Sequence, residues 1–153
     1  MDEIDKSILR ILQTDASLSN AAIAEKVGLS TTPCWRRIQR LEESGVIQRR
    51  VALVDPQKIN LAVTVFVAVR TNQHSDEWFR GFAEAVSEMP EVVEFYRLSG
   101  DIDYLLRVVV PDIDAYDRLY KRLIERVDLF DGSSSFAMEQ IKLTTALPVD
   151  YAD

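Results

Sequence analysis

The hydrophobic spacing changes kind part-way along the chain, and that change constrains the fold more than any single motif. Before Asp55-Pro56 the apolar residues recur at helical intervals; after it they alternate between strand-like runs and helical stretches. Ile4, Ile8, Ile11 and Leu12 fall at i, i+4, i+7 and i+8, which predicts an amphipathic helix over residues 3–13 with Asp2 and Asp5 at its N-terminal end. Ser19 or Asn20 caps a short second helix carrying Ile23, Ala24 and Val27, and Gly28 suits the left-handed position that ends it. Ser30 caps a third, with Pro33 in its first turn, running to about Ser44 and stopping at Gly45.

The third helix is two-faced. Cys34, Ile38 and Leu41 form an inward row, where the free cysteine acts as a small hydrophobe. Arg36, Arg37 and Arg40 lie outside it, with Ser30, Thr31 and Thr32 at the tip. Two helices joined by a tight glycine turn, the second polar and basic outward, is the helix-turn-helix pattern. Its second helix enters the DNA major groove. Ile47 to Val54 reads as a strand or wing that brings Arg49 and Arg50 to the DNA backbone.

The overall charge of −7 would argue against nucleic acid, but its distribution does not. Residues 1–60 hold nine Lys/Arg against eight Asp/Glu, a net +1. Residues 61–153 hold nine against seventeen, a net −8. Screening confines each patch's effect to about 8–10 Å, so a local basic face on an acidic protein still attracts phosphate.

Beyond a hinge at residues 55–60 the order is strand (Leu61–Arg70), helix, strand (Val92–Leu98), strand (Tyr104–Val110), helix, strand (Ser134–Leu143). This is the ferredoxin-like βαββαβ arrangement, giving an α+β protein: residues 1–54 a winged helix-turn-helix, 61–153 a second domain. Residues 61–69 are apolar on both faces, so the face away from the helices is expected to be buried by a second copy.

Several classes are disfavoured. No apolar run approaches the roughly 20 residues of a membrane span, and the start MDEIDKSILR is unlike a signal peptide, so a cytoplasmic protein is expected. One cysteine and one histidine, His74, leave no basis for an intrachain disulfide, a His/Cys metal site or a cofactor. Without a nucleophile–base pair or a phosphate loop, the reading is not an enzyme.

Taken together, the segments IDKSILRILQTDASLSNAAIAEKVGLSTTPCWRRIQRLEESGVI, RVALVDPQKI, MPEVVEFYRLSGDIDYLLRVVVPDIDAYD and SSFAMEQIKLTTALP resemble the Lrp/AsnC family of feast/famine regulators over essentially the whole length. The resemblance implies a transcription regulator that binds duplex DNA, forms dimers assembling further, often to octamers, and binds a small amino acid between dimers. The family's GD-x-DY turn matches Gly100, Asp101, Asp103 and Tyr104; with Arg97, and Ser134 and Ser135 from the last strand, these are the implied effector contacts. Chemically, Arg97 suits a carboxylate, Asp101 an ammonium, and Gly100 a close backbone approach. The stretch VDLFDG at 127–132 departs from the family's usual proline-glycine-valine turn. TTPCWRRIQRLEESG, FYRLSGDIDYLLRV and SSFAMEQIKLTTALP are most similar to a branch that activates cysteine breakdown in response to cysteine, making L-cysteine the first candidate effector. The alternative is an architectural DNA-binding protein with no effector.

Overall fold

The computed structural model describes residues 1–73, 75–127 and 131–152, in two compact units. His74 and residues 128–130, at the centre of the VDLFDG stretch, lie outside the described residues.

The first unit is a three-helix core. Helix α1 (Glu3–Thr14) opens with a capping box: Asp2 accepts from the Asp5 N–H, and the Asp5 carboxylate accepts from the Asp2 N–H. Helix α2 (Asn20–Lys26) is capped by Ser19, which accepts from the Ala22 N–H. Gly28, at φ +70, ends it in a Schellman turn: the Leu29 N–H donates to Ala24 O and the Gly28 N–H to Glu25 O. Helix α3 (Thr31–Glu43) follows at once. Ile8, Ile23, Cys34 and Ile38 meet at the centre, each essentially inaccessible.

Two expectations fail here. Residues 47–54 form no strand; they run without a ladder partner, and Val51, Leu53 and Val54 are exposed. A single extended segment with nothing to pair against gains no sheet hydrogen bonds. From Ile141 onward the chain groups with this first unit rather than with the ferredoxin-like one. Gln13 holds that segment at both ends of its amide, donating to Leu147 O at 3.1 Å and accepting from the Leu147 N–H at 2.7 Å. Arg10 pairs with Asp150, and Val149 packs on the helical core.

The second unit begins with a single helical turn, Pro56–Ile59, capped by Asp55 and ended by Asn60 in the left-handed region. Then come β1 (Val63–Arg70), α4 (Asp76–Ser87), β2 (Val92–Arg97), β3 (Tyr104–Val110), α5 (Ile113–Arg126) and β4 (Asp131–Phe136). The sheet is antiparallel in the order β2-β3-β1-β4, which is the ferredoxin-like topology. Val65, Val67 and Val69 of β1 and Tyr104, Leu106, Val108 and Val110 of β3 turn toward the helices and are buried. Strand β4 stops well short of Leu143. Its partner β1 begins at Val63, so pairing runs out after Phe136 opposite Val65 and a last bond from the Ala137 N–H to Thr64 O.

The opposite face of the sheet is mixed rather than wholly apolar. Phe66 and Tyr96 are 38% and 50% exposed, beside an ion pair between Glu94 and Arg107 at 2.6 Å to which the Tyr96 hydroxyl donates. Arg107 first, against a smaller opposing effect of burial, holds the Glu94 carboxyl below its ordinary value. Among the described residues no helix is long and apolar enough to cross a membrane.

Candidate nucleic-acid interface and effector turn

The three arginines expected to share the outer face of α3 do not share a fate. Arg37 lies half-buried on the α1 side, donating to Asp2 at 2.6 Å and to Asp5 at 2.8 Å. Arg40 spans both oxygens of Asp5, at 3.1 and 2.9 Å, with its side chain 62% exposed. Asp5 itself is only 4% exposed at its side chain. A carboxylate that deep is tolerated because guanidinium nitrogens of two arginines and a backbone N–H meet it. Hydrogen bonds that Arg37 donates to Asp5 and then to Asp2 push its guanidinium further up its already high range. The Asp5 backbone N–H first, and Arg37 second, hold the Asp2 carboxyl low. Arg37 is therefore committed to α1, a correction to its expected place on the free face.

Thr32, Arg36 and Glu43 stand opposite the buried row and are exposed; among the described residues Arg36 makes no ion pair. Ser30 occupies the N-cap position, but its hydroxyl makes no cap hydrogen bond, contrary to the sequence expectation. The tip Ser30-Thr31-Thr32 thus faces solvent with the first N–H groups of α3 lacking a side-chain acceptor. Arg50 is partly spent on Glu42 at 2.9 Å, while Arg49 is exposed. Cys34 is inaccessible, and burial pushes its thiol up, away from the reactive thiolate.

The effector candidates separate into a cluster and two outliers. Arg97, Gly100 and Asp101 are exposed together at the β2–β3 turn, closed by a bond from the Leu98 N–H to Asp103 O, with Gly100 at φ +136. Two neighbours serve the scaffold instead. The Asp103 carboxylate accepts from the Thr71 N–H at 2.8 Å. Tyr104 is buried in an aromatic cluster, 5.2 Å from Phe82 and stacked on Phe79 at 5.9 Å, because it heads the inward row of β3. Ser134 and Ser135 sit on β4, at the other edge of the sheet from β2. With three strand spacings between them, the groups are about 14 Å apart. Ser134 is hydrogen-bonded to the Tyr116 hydroxyl on the helix side, whereas Ser135 lies opposite Phe66 on the open side. Among the described residues no cluster of His, Cys, Asp or Glu is arranged to hold a metal ion.

Comparison with known proteins places this geometry. Residues 64–147 match the Lrp/AsnC ligand binding domain, and residues 1–48 a winged helix-turn-helix DNA-binding domain. The chain belongs to the Lrp/AsnC family. It is 52% identical over 151 residues, 98% of this chain and 99% of the other, to the DNA-binding transcriptional activator DecR of Escherichia coli. It is 54% identical over 149 residues, 97% and 91% of the two chains, to the glutamate uptake regulatory protein of Zymomonas mobilis. In three dimensions it superimposes on an AsnC family transcriptional regulator from Agrobacterium tumefaciens with a TM-score of 0.96, 67% identity and 99% coverage of both chains. A Neisseria meningitidis regulator in complex with L-Met gives a TM-score of 0.94 at 34% identity, covering 98% and 97%. The protein is accordingly a DNA-binding transcription regulator of the Lrp/AsnC type with an amino-acid-binding domain, a non-enzymatic class.

Sequence reasoning missed Asp5 as a partner of the α3 arginines. The placement of Asp2 and Asp5 at the N-terminal end of α1 was legible, but not that Asp5 lies against residues 32 and 35 positions away. Asp5→Ala is expected to cost about 2 kcal/mol of stability through lost charged hydrogen bonds. Arg36→Ala should stay within about 0.5 kcal/mol of the parent. Urea unfolding followed by circular dichroism distinguishes the two.

Proposed function

We propose that this regulator reads duplex DNA with α3 in the major groove and answers to a small amino acid held between copies of the second unit, L-cysteine being the first candidate. The observation that carries the DNA half is the exposed tip and face of α3: among the described residues the side chains of Ser30, Thr31, Thr32 and Arg36 make no hydrogen bond or ion pair, while Arg37 fixes the helix from behind. Arg40, with most of its side chain in solvent, reaches phosphate, and Arg49 and Arg50 lie along the backbone. In this division of labour residues 1–54 bind DNA, 55–60 join the parts, and residues 61–140 sense and assemble, the chain from Ile141 onward grouping with the DNA-binding unit.

For the effector half, Arg97 and Asp101 take the carboxylate and ammonium that every amino acid carries. Ser134 and Ser135 lie at the far edge of the same sheet, so a ligand touching both groups needs two copies. The exposed Phe66 and Tyr96 supply an apolar surface for the first dimer, with higher assembly, to an octamer, built on it. A relative named leucine-responsive and a neighbour in complex with L-Met support an amino acid as the effector class; the choice of cysteine rests on the three segments similar to the cysteine-responsive branch. A cytoplasmic setting without a membrane partner fits this role.

Binding to a duplex selected from a random pool by the full-length protein tests both halves. Arg36→Ala and Arg40→Ala should weaken it and lower the salt slope of log K by about 0.9 per phosphate lost. Unchanged affinity in the Arg36/Arg37/Arg40 triple alanine variant would refute the α3 assignment. L-cysteine in reducing buffer should shift the binding curve, and Asp101→Ala should abolish the shift while sparing effector-free binding. Response to leucine, alanine or methionine in place of cysteine removes the cysteine assignment; no calorimetric heat with any amino acid leaves the architectural reading. Sedimentation of the full chain at micromolar concentration should give at least a dimer, and a monomer contradicts the assembly.

A further inference from the structure

Helix α3 carries a large aromatic side chain that its own fold does not use. Trp35 is 46% exposed, and among the described residues it has neither a ring partner nor a hydrogen bond to its indole N–H. The chain's other tryptophan, Trp78, packs against Phe82 and Tyr104 as a core residue should. Trp35 sits one turn beyond Thr31 and directly before Arg36, flanking the exposed line Thr32–Arg36 on the side away from Arg37 and Arg40. The helix beneath it is fixed: Cys34 and Ile38 are inaccessible, and Arg37 ties the far flank to Asp2 and Asp5. A half-exposed indole is thus carried on a fixed backbone within the first two turns of the helix, the stretch that meets base edges in this geometry.

We infer that Trp35 is a specificity-determining residue that packs its indole against the C5-methyl group of a thymine in the major groove. This rests on the α3-in-groove reading above and adds an apolar base contact to it. Thymine alone among the four bases offers a methyl group on the major-groove edge, so an apolar ring there distinguishes it from cytosine and from uracil. Phosphate contact is the weaker alternative, because an uncharged side chain displaces no counterion.

The test uses the full-length protein and a duplex it selects from a random pool, compared with a random-sequence duplex. Trp35→Ala should lose about tenfold or more on the selected duplex, with little change on the random one and no change in salt slope. Replacing the contacted thymine with deoxyuridine should weaken the parent by a similar factor and leave Trp35→Ala unaffected, the mark of a direct contact. Trp35→Phe, which keeps an aromatic ring, should fall between the two and guards against a folding artefact, with thermal melting as the check. Equal losses on selected and random DNA, or a uracil penalty undiminished in Trp35→Ala, overturn the inference. If Trp35→Ala binds like the parent while Arg36→Ala does not, base reading by Trp35 fails and the α3 reading stands. If neither variant matters, the α3 reading fails with it.

Discussion

A carboxylate buried to 4% exposure between α1 and α3 organises the DNA-binding unit. Asp5 is excluded from water, so its charge must be met, and the groups that meet it are two arginines of the neighbouring helix. Two consequences follow from that single requirement. The orientation of α3 against α1 is set by directional, charge-assisted bonds as well as by the apolar contacts of Ile8, Ile23 and Ile38. The basic face of α3 is also divided: Arg37 is consumed, Arg40 is shared between acid and solvent, and Arg36 is exposed with no ion pair among the described residues. A helix that would otherwise present three equivalent cations presents a graded set.

The second unit is governed by the sheet in a similar way. Its two faces have different tasks, one sealed by α4 and α5, the other carrying Phe66, Tyr96 and the Glu94–Arg107 pair into solvent. Its two edges are also distinct, with the polar β2–β3 turn at one and the serines of β4 at the other. Strand order therefore keeps the two groups of candidate effector residues apart within a protomer. In the proposed mechanism assembly brings these groups together, which couples a ligand to the state of association.

What could be read from the residues tracks how local each determinant is. The Ser19 cap and the turn at Gly28 act within a few positions and appear where spacing puts them, while Ser30 takes the N-cap position without making the cap bond. Strand limits depend on a partner, which is why residues 47–54 and 137–143 look extended in sequence yet form no ladder. The aromatic role of Tyr104 was within reach of the alternation Tyr104, Leu106, Val108, Val110, but the motif drew attention to the turn instead. Arg37 and Arg40 were visible as cations on the side of α3 away from Cys34 and Ile38. That an acid from α1 waits on that flank depends on how two helices cross, and no short-range spacing carries that information.

The division of the arginines is open to direct observation by nitrogen-detected NMR of their guanidinium groups, with and without the selected duplex. Rotation about the Cζ–Nε bond slows when the N–H fork is held by a carboxylate or phosphate. Arg37 should show separate, hindered Nη signals in the free protein that barely move on adding DNA, while Arg36 should be averaged when free and become hindered only in the complex. An Arg37 that rotates freely without DNA, or that shifts as much as Arg36 on binding, would contradict the account.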